Sequence, residues 1–356
     1  KMSIFQAKEW WSAKVGEDEE FDSNSIAIGN IDNERSKEDK VVVGSFEGKL
    51  RIYKPNRKMN HKFDAEDLVI EQNLGFPILQ VSIGRFSKQS QGLSLALLSV
   101  RQFSIYGVES TSSFSQLQEF TSHKLERNAF NFISGNFGNE SGKLEQICVQ
   151  SVDGALFFIS DDLMLFKIQL ADFLVPGPFV FSKNSEQIII ANSNLEIEAF
   201  SYQSMKAFTN NDIEQQKENQ AKEEKRSKME PGWVANIGEQ ARQIKIHNNR
   251  YSKQCDVVVL AEFSLFILVE HGGSIRYQKR FDFSPASFIH YSLKTMGDDL
   301  YVPPNADKSQ LIDDALTKDY DKGGLQTPGF MLMVASFEGY VMVYNDTKLA
   351  WTAKMQ

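Results

Sequence analysis

The chain has 356 residues, 41% of them apolar and 24% charged, with a net charge of −8. That is enough apolar content for one large repeat domain or two ordinary ones. The acidic balance argues against nucleic acid as a partner, because phosphate binding needs a basic surface. No apolar run reaches the roughly 18 residues that span a bilayer, and the start carries no signal-peptide core. With only two cysteines, Cys148 and Cys255, each inside an apolar run, the expectation is a cytosolic chain with two reduced, buried thiols.

In chain order, three units open with the same words: Ile28-Gly29-Asn30-Ile31, Ile83-Gly84-Arg85-Phe86 and Ser134-Gly135-Asn136-Phe137. Each continues with a polar loop and an apolar run (Val41 to Gly44, Leu95 to Leu98, Gln146 to Val149), then a turn and a second run (Leu50 to Tyr53, Phe103 to Tyr106, Leu156 to Ile159). A period of about 50 residues made of short strands is the signature of a β-propeller. Three looser units follow. They are Gln187 to Ala191 with Leu195 to Tyr202, Asp256 to Leu260 with Leu265 to Val269, and Met331 to Ala335 with Tyr340 to Tyr344. In the fifth, Gly272-Gly273 leads to an outer strand over Ser274 to Gln278, and the sixth ends in Lys348 to Trp351. The reading is all-β: one propeller domain over residues 1–356, with six blades.

Three units share a sharper turn, Ser45-Phe46-Glu47-Gly48, Ser151-Val152-Asp153-Gly154 and Ser336-Phe337-Glu338-Gly339. Gly48, Gly154 and Gly339 are expected to supply the positive φ of a tight hairpin, with the acids serving turn chemistry rather than catalysis. Phe5 to Val15 is expected to supply the outer strand of the last blade, so that Trp10, Trp11 and Trp351 pack where the ring closes. Two segments break the rhythm: residues 210–230, polar and of mixed charge, read as a solvated insertion, and residues 296–328, a long loop inside blade six.

Motifs for chemistry are missing. His61, His123, His247, His271 and His290 show no ligand spacing. There is no nucleophile elbow, phosphate loop or dinucleotide fingerprint. The loops Asn30 to Glu34 and Asn136 to Glu140 lie where some propellers carry calcium, but their alternation of oxygen-bearing residues is incomplete, so Asp32 and Asn139 read as parts of solvated turns. Neither a cofactor nor a metal is expected, and the chain reads as no enzyme. The enzymatic alternative is a hydrolase with its site at the central mouth, which would need convergent acids, arginines or histidines there.

Specific strings then point to a family. Met2 to Trp11, Glu19-Glu20-Phe21-Asp22, Ala65 to Leu68, Pro77 to Val81, Gln150 to Gly154, Leu174 to Pro178, Asn236 to Ala241 and Leu349-Ala350-Trp351 resemble, in order, the amino-terminal region of the parathyroid-hormone-responsive (Bardet–Biedl syndrome nine) family. The loop over 296–328 departs from that pattern. The resemblance implies a seven-bladed propeller whose last blade lies beyond Gln356, as the N-terminal part of a longer protein. It implies a non-enzymatic scaffold subunit of the BBSome, a coat-like adaptor that moves membrane proteins to and from cilia with intraflagellar transport trains. Other BBSome subunits are the implied partners, with a small Arf-like GTPase and membrane cargo reached indirectly. The implied location is the cytoplasm, the cilium and its base. A propeller of another coat or intraflagellar transport subunit is the alternative within the same class. The sequence assigns no partner-binding residue.

Overall fold

The computed structural model describes residues 11–34, 38–55, 67–90, 92–110, 115–139, 144–170, 176–209, 229–248, 255–291, 331–345 and 348–355. They form a six-bladed β-propeller. Blade one is β1 (Ile26–Gly29), β2 (Lys40–Gly44), β3 (Lys49–Tyr53) and β4 (Leu68–Asn73). Blade two is β5 (Gln80–Gly84), β6 (Ser94–Leu98), β7 (Gln102–Ser110) and β8 (Ser115–Lys124). Blade three is β9 (Ala129–Gly135), β10 (Gln146–Ser151), β11 (Ala155–Ser160) and β12 (Leu163–Gln169). Blade four is β13 (Phe179–Ser182), β14 (Gln187–Ala191), β15 (Glu196–Ser201) and β16 (Trp233–Asn236). Blade five is β17 (Ala241–Asn248), β18 (Cys255–Ala261), β19 (Ser264–Val269) and β20 (Ile275–Arg280). Blade six is β21 (Pro285–Tyr291), β22 (Met331–Ser336), β23 (Tyr340–Asn345) and β24 (Lys348–Lys354). Each blade is an antiparallel meander in chain order.

Strand periodicity explains the packing. Successive side chains point to opposite faces, so a strand between two blades buries both sets. In β18, Val257, Val259 and Ala261 pack toward blade four, and Val258 and Leu260 toward blade six. In β6, Leu95 and Leu97 face blade one while Ala96 and Leu98 face blade three. A strand buried on both faces reads as an uninterrupted apolar run, which is why the second strands stand out in the sequence. The repeated glycines mark close approaches: a Cβ at Gly29 would lie 3.2 Å from Ile83 of blade two, and one at Gly135 would lie 2.9 Å from Phe181 of blade four. Side-chain amides suture neighbouring inner strands. Gln80 exchanges two 2.8 Å hydrogen bonds with the backbone of Phe132, and Gln243 accepts one at 2.7 Å from Phe288 N–H.

Five buried clusters join consecutive blades, from one–two to five–six. Among the described residues no buried cluster joins blade six to blade one. Residues 11–25 do not complete blade six: its outer strand is β24, and these residues run without strand pairing over blade one. Residues 1–10, including Trp10, lie outside the described residues, as do residues 292–330, which contain the 296–328 loop. Most of the 210–230 insertion lies outside them too; its flanks are a helix over 202–209 and Met229, and Met205 and Met229 are buried against blades three and four. In this meander the loops from first to second and from third to fourth strands lie on one rim. The other rim carries the hairpin turns between second and third strands and the links between blades. No helix among the described residues is long and apolar enough to cross a membrane.

Candidate functional site

Among the described residues the end blades have one neighbouring blade each, and the faces turned away from it carry apolar rows. In blade one, Ala27, Val42, Ile52 and Ile70 form the cross-strand row facing blade two. The opposite row is Ile28, Val41, Tyr53 and Leu68. Ile26 and Ile28, on the terminal strand β1, are 54% and 67% exposed, unusual for isoleucines, which are usually buried. In blade six, Phe288, Val334 and Met342 face blade five. The opposite row is Ile289, Met333, Val343 and Trp351, with Ile289 58% exposed. The structure therefore places Trp351 on the outward face of blade six and Trp11 against the outward face of blade one.

Trp11 belongs to a strap formed by residues 11–25. Its ring meets Tyr53 edge to face with centroids 5.7 Å apart, and its Nε1 donates to Asp67 Oδ2 at 3.0 Å. Glu19 accepts two bonds from Arg51, at 2.6 and 2.7 Å, and one from Lys49 at 3.1 Å. The Arg51 guanidinium holds the Glu19 carboxyl down at about pKa 2. Phe46 N–H donates to Glu20 O at 2.9 Å. Between strap and sheet lies an open, apolar groove of about 390 Å³ lined by Trp11, Phe21, Ile26, Val41, Val43 and Tyr53.

The three sharp turns share one geometry. Gly48, Gly154 and Gly339 have φ of +84°, +83° and +80°. In each turn the glycine N–H donates to the carbonyl of the serine three residues back, at 3.1, 3.1 and 3.2 Å. The next residue's N–H reaches that serine's Oγ, at 3.3, 2.8 and 3.1 Å. The acids tie the turn to the preceding segment. Glu47 accepts from Glu20 N–H, Asp153 from Arg127, and Glu338 from Ser284 N–H.

Titratable groups gather where blades five and six meet. The His247 and His290 rings stand edge to face, 5.3 Å apart. Arg276 pairs with Asp256, the cross-strand partner of His247. Burial, then the charges of His290 and Arg276, pushes His247 down to about 4. Burial lowers Lys245 and His290 and raises Asp256. At neutral pH this seam therefore holds neutral imidazoles. Acid–base catalysis would need a substrate pocket beside them, whereas the apolar groove lies against blade one. His123 Nε2 lies 2.8 Å from Asp161 O, a link between blades two and three. Cys148 and Cys255 are buried, not joined in a disulfide, and burial raises both thiols, Cys255 to about 11. Among the described residues no three His, Cys, Asp or Glu side chains come together as a metal site. Sequence reasoning missed the strap and the outward rows with their exposed Ile28 and Ile289. Glu19 and Arg51 are distant in sequence, and an isoleucine in a strand carries no sign of which blade it faces.

The model of the family described as PTHB1 N-terminal matches residues 2–356. The PTHB1 protein of Xenopus laevis is 34% identical over 362 residues, covering 99% of this chain and 38% of that protein. The human PTHB1 protein is 36% identical over 297 residues, covering 82% of this chain and 33% of its own length. The chain thus spans little more than a third of the curated relatives it matches. Among solved structures, BBS1N in complex with ARL6DN aligns with a TM-score of 0.58 at 10% identity, over 94% of this chain and 81% of that one. Saccharomyces cerevisiae Sqt1 aligns with a TM-score of 0.55 at 11% identity, over 86% and 68%. At such identities these two structures speak for the fold.

Proposed function

This chain belongs to the PTHB1 N-terminal family, and from that premise we propose that it is a non-enzymatic propeller scaffold within a BBSome-type adaptor that carries membrane proteins to and from cilia. The observation that carries the reading is the family match across all six blades, from residue 2 to residue 356. The polar groups of the blades support it. The acids at the turns and the Asp256–Arg276 pair bond neighbouring segments of the fold, as expected of a rigid interaction platform. Partners in this reading are other subunits of the complex. A BBS1 propeller is known in complex with ARL6, and a small Arf-like GTPase, membrane cargo and intraflagellar transport trains are reached here through neighbouring subunits. The location is the cytoplasm, the cilium and the ciliary base, with neither nucleic acid nor cofactor involved.

The two outward apolar rows support a second element of the proposal. A seventh blade, supplied by the protein beyond Gln356, fills the interval between blades six and one. It covers Ile26 and Ile28 on one side and Ile289 on the other, so Trp11 and Trp351 become the rims of the closure. Closing a propeller removes the edges that would otherwise aggregate.

The test is affinity purification of the tagged full-length protein from ciliated cells, followed by mass spectrometry. Stoichiometric recovery of the other BBSome subunits is the expected result. A clean monomer would reject the scaffold reading.

A further inference from the structure

The loop after β1 has a buried cation of its own. Lys40, the first residue of β2, is 1% exposed, although a lysine is almost never fully buried without partners. Its ammonium donates to three oxygens from alternate residues of one loop: Asn30 Oδ1 at 3.4 Å, Asp32 Oδ1 at 2.5 Å and Glu34 Oε2 at 3.3 Å. Three oxygen-bearing side chains at positions one, three and five, folded round a single centre, is the way a calcium loop begins. Here that centre is a nitrogen on a tether.

The loop is held by bonds that do not involve Lys40. Asn33, at φ +55°, accepts from Leu93 N–H at 2.7 Å and donates to Leu93 O at 3.1 Å, fixing the loop to blade two. Asn30 Nδ2 donates to Glu34 O at 3.0 Å, and Ile31 is fully buried in the cluster between blades one and two. Lys54 stands at the outer side, 3.4 Å from Glu34 and 3.2 Å from Glu38. Without the Lys40 ammonium, these bonds would still gather the oxygens of Asn30, Asp32 and Glu34 round one centre, loosened by the charge of Asp32, with Lys54 beside only Glu34 of the three.

We infer that Lys40 is a built-in substitute for a divalent cation, so that blade one is independent of calcium and removal of the ammonium uncovers a site for a hard divalent ion. Two carboxylates and an amide give a weak site, of about millimolar affinity.

The test is hydrogen exchange of the segment 26–44 in the full-length protein, with calcium chloride or a chelator. Wild type is expected to exchange identically in both. Lys40→Met is expected to exchange about tenfold faster in chelator and to recover wild-type protection in millimolar calcium. Adding Asp32→Asn to Lys40→Met is expected to abolish that recovery. Chelator-sensitive exchange in wild type would overturn the inference, and so would a Lys40→Met protein that calcium leaves unchanged or that folds at no calcium concentration. Folding of Lys40→Met only in calcium would support it.

Discussion

Blade four and blade one are built on the same four-stranded meander, yet they differ in how they are held. In blade four, β14 buries Ile188 and Ile190 against blade three and Ile189 and Ala191 against blade five. In blade one, among the described residues, only the face carrying Val42 and Ile52 is covered by another blade; the other carries a polar-anchored strap and exposed isoleucines. An inner blade is thus stabilised by apolar contact on both sides, at roughly 1.5–3 kcal/mol per buried side chain. Blade one replaces half of that with the Glu19–Arg51 fork and a Trp–Tyr contact. A propeller's stability is set by neighbours, as in other repeat folds, and a blade lacking a neighbour shows on its surface what the neighbour would have covered.

The largest contrast comes from deleting one side chain on each side of this divide. Phe158 is fully buried between blades three and four, against Phe137, Phe166 and Tyr202. Phe158→Ala is expected to cost about 3–5 kcal/mol, read as lost exchange protection in β11 and β14. Ile28→Ala is expected to cost about 2 kcal/mol in the full-length protein if its face is covered, and under about 0.5 kcal/mol if it stays exposed. A near-neutral Ile28→Ala in the full-length protein would break the comparison.

The turns give the next effect. A Cβ at Gly48 would lie 2.7 Å from Phe76 O, whereas one at Gly339 would meet nothing nearer than Met355 O at 3.7 Å. Both alanine variants carry the strain of a positive φ, so Gly339→Ala is expected to cost about 1 kcal/mol and Gly48→Ala up to about 3 kcal/mol. Equal costs in thermal unfolding would mean that the blade-one turn is not pinned by its neighbour.

Acid separates the two regions by pH. His247 has its folded pKa lowered, to about 4 from 6.5, so the neutral form belongs to the fold. Its contribution is fully present above pH 6.5 and is lost as pH falls toward 4, on the order of 1 kcal/mol by pH 5.5. Glu19, also lowered, contributes fully above pH 4.5 and loses that contribution as pH falls toward 2. On acidification, exchange should rise first at the blade five–six seam and later at the strap. The reverse order, or a His247→Gln protein with an unchanged profile, would contradict these assignments.

Much of this fold is legible in the sequence, because the second strands of blades two to five are buried on both faces and need nearly continuous apolar runs. The turn at Gly154 is legible too, since its serine, acid and glycine each have a local task. Outer strands are harder to read. β8, Ser-Gln-Leu-Gln-Glu-Phe-Thr-Ser-His-Lys, is largely solvated and lacks an apolar run. The position of Trp11 depends on Tyr53 and Asp67, contacts made only after blade one has formed. Lys40 is hidden for a different reason: the loop from Asn30 to Glu34 shows too little charge for calcium, and its cation enters from the next strand.

The central claim is that the outward rows of blades one and six are interior surfaces of the full-length protein. Covalent side-chain footprinting of that protein tests it directly, with exposed Val152 and buried Val259 as internal standards. Labelling of Ile26, Ile28 and Ile289 as low as that of Val259 is the expected result. Labelling as high as that of Val152 would show that nothing covers these faces and would contradict the claim.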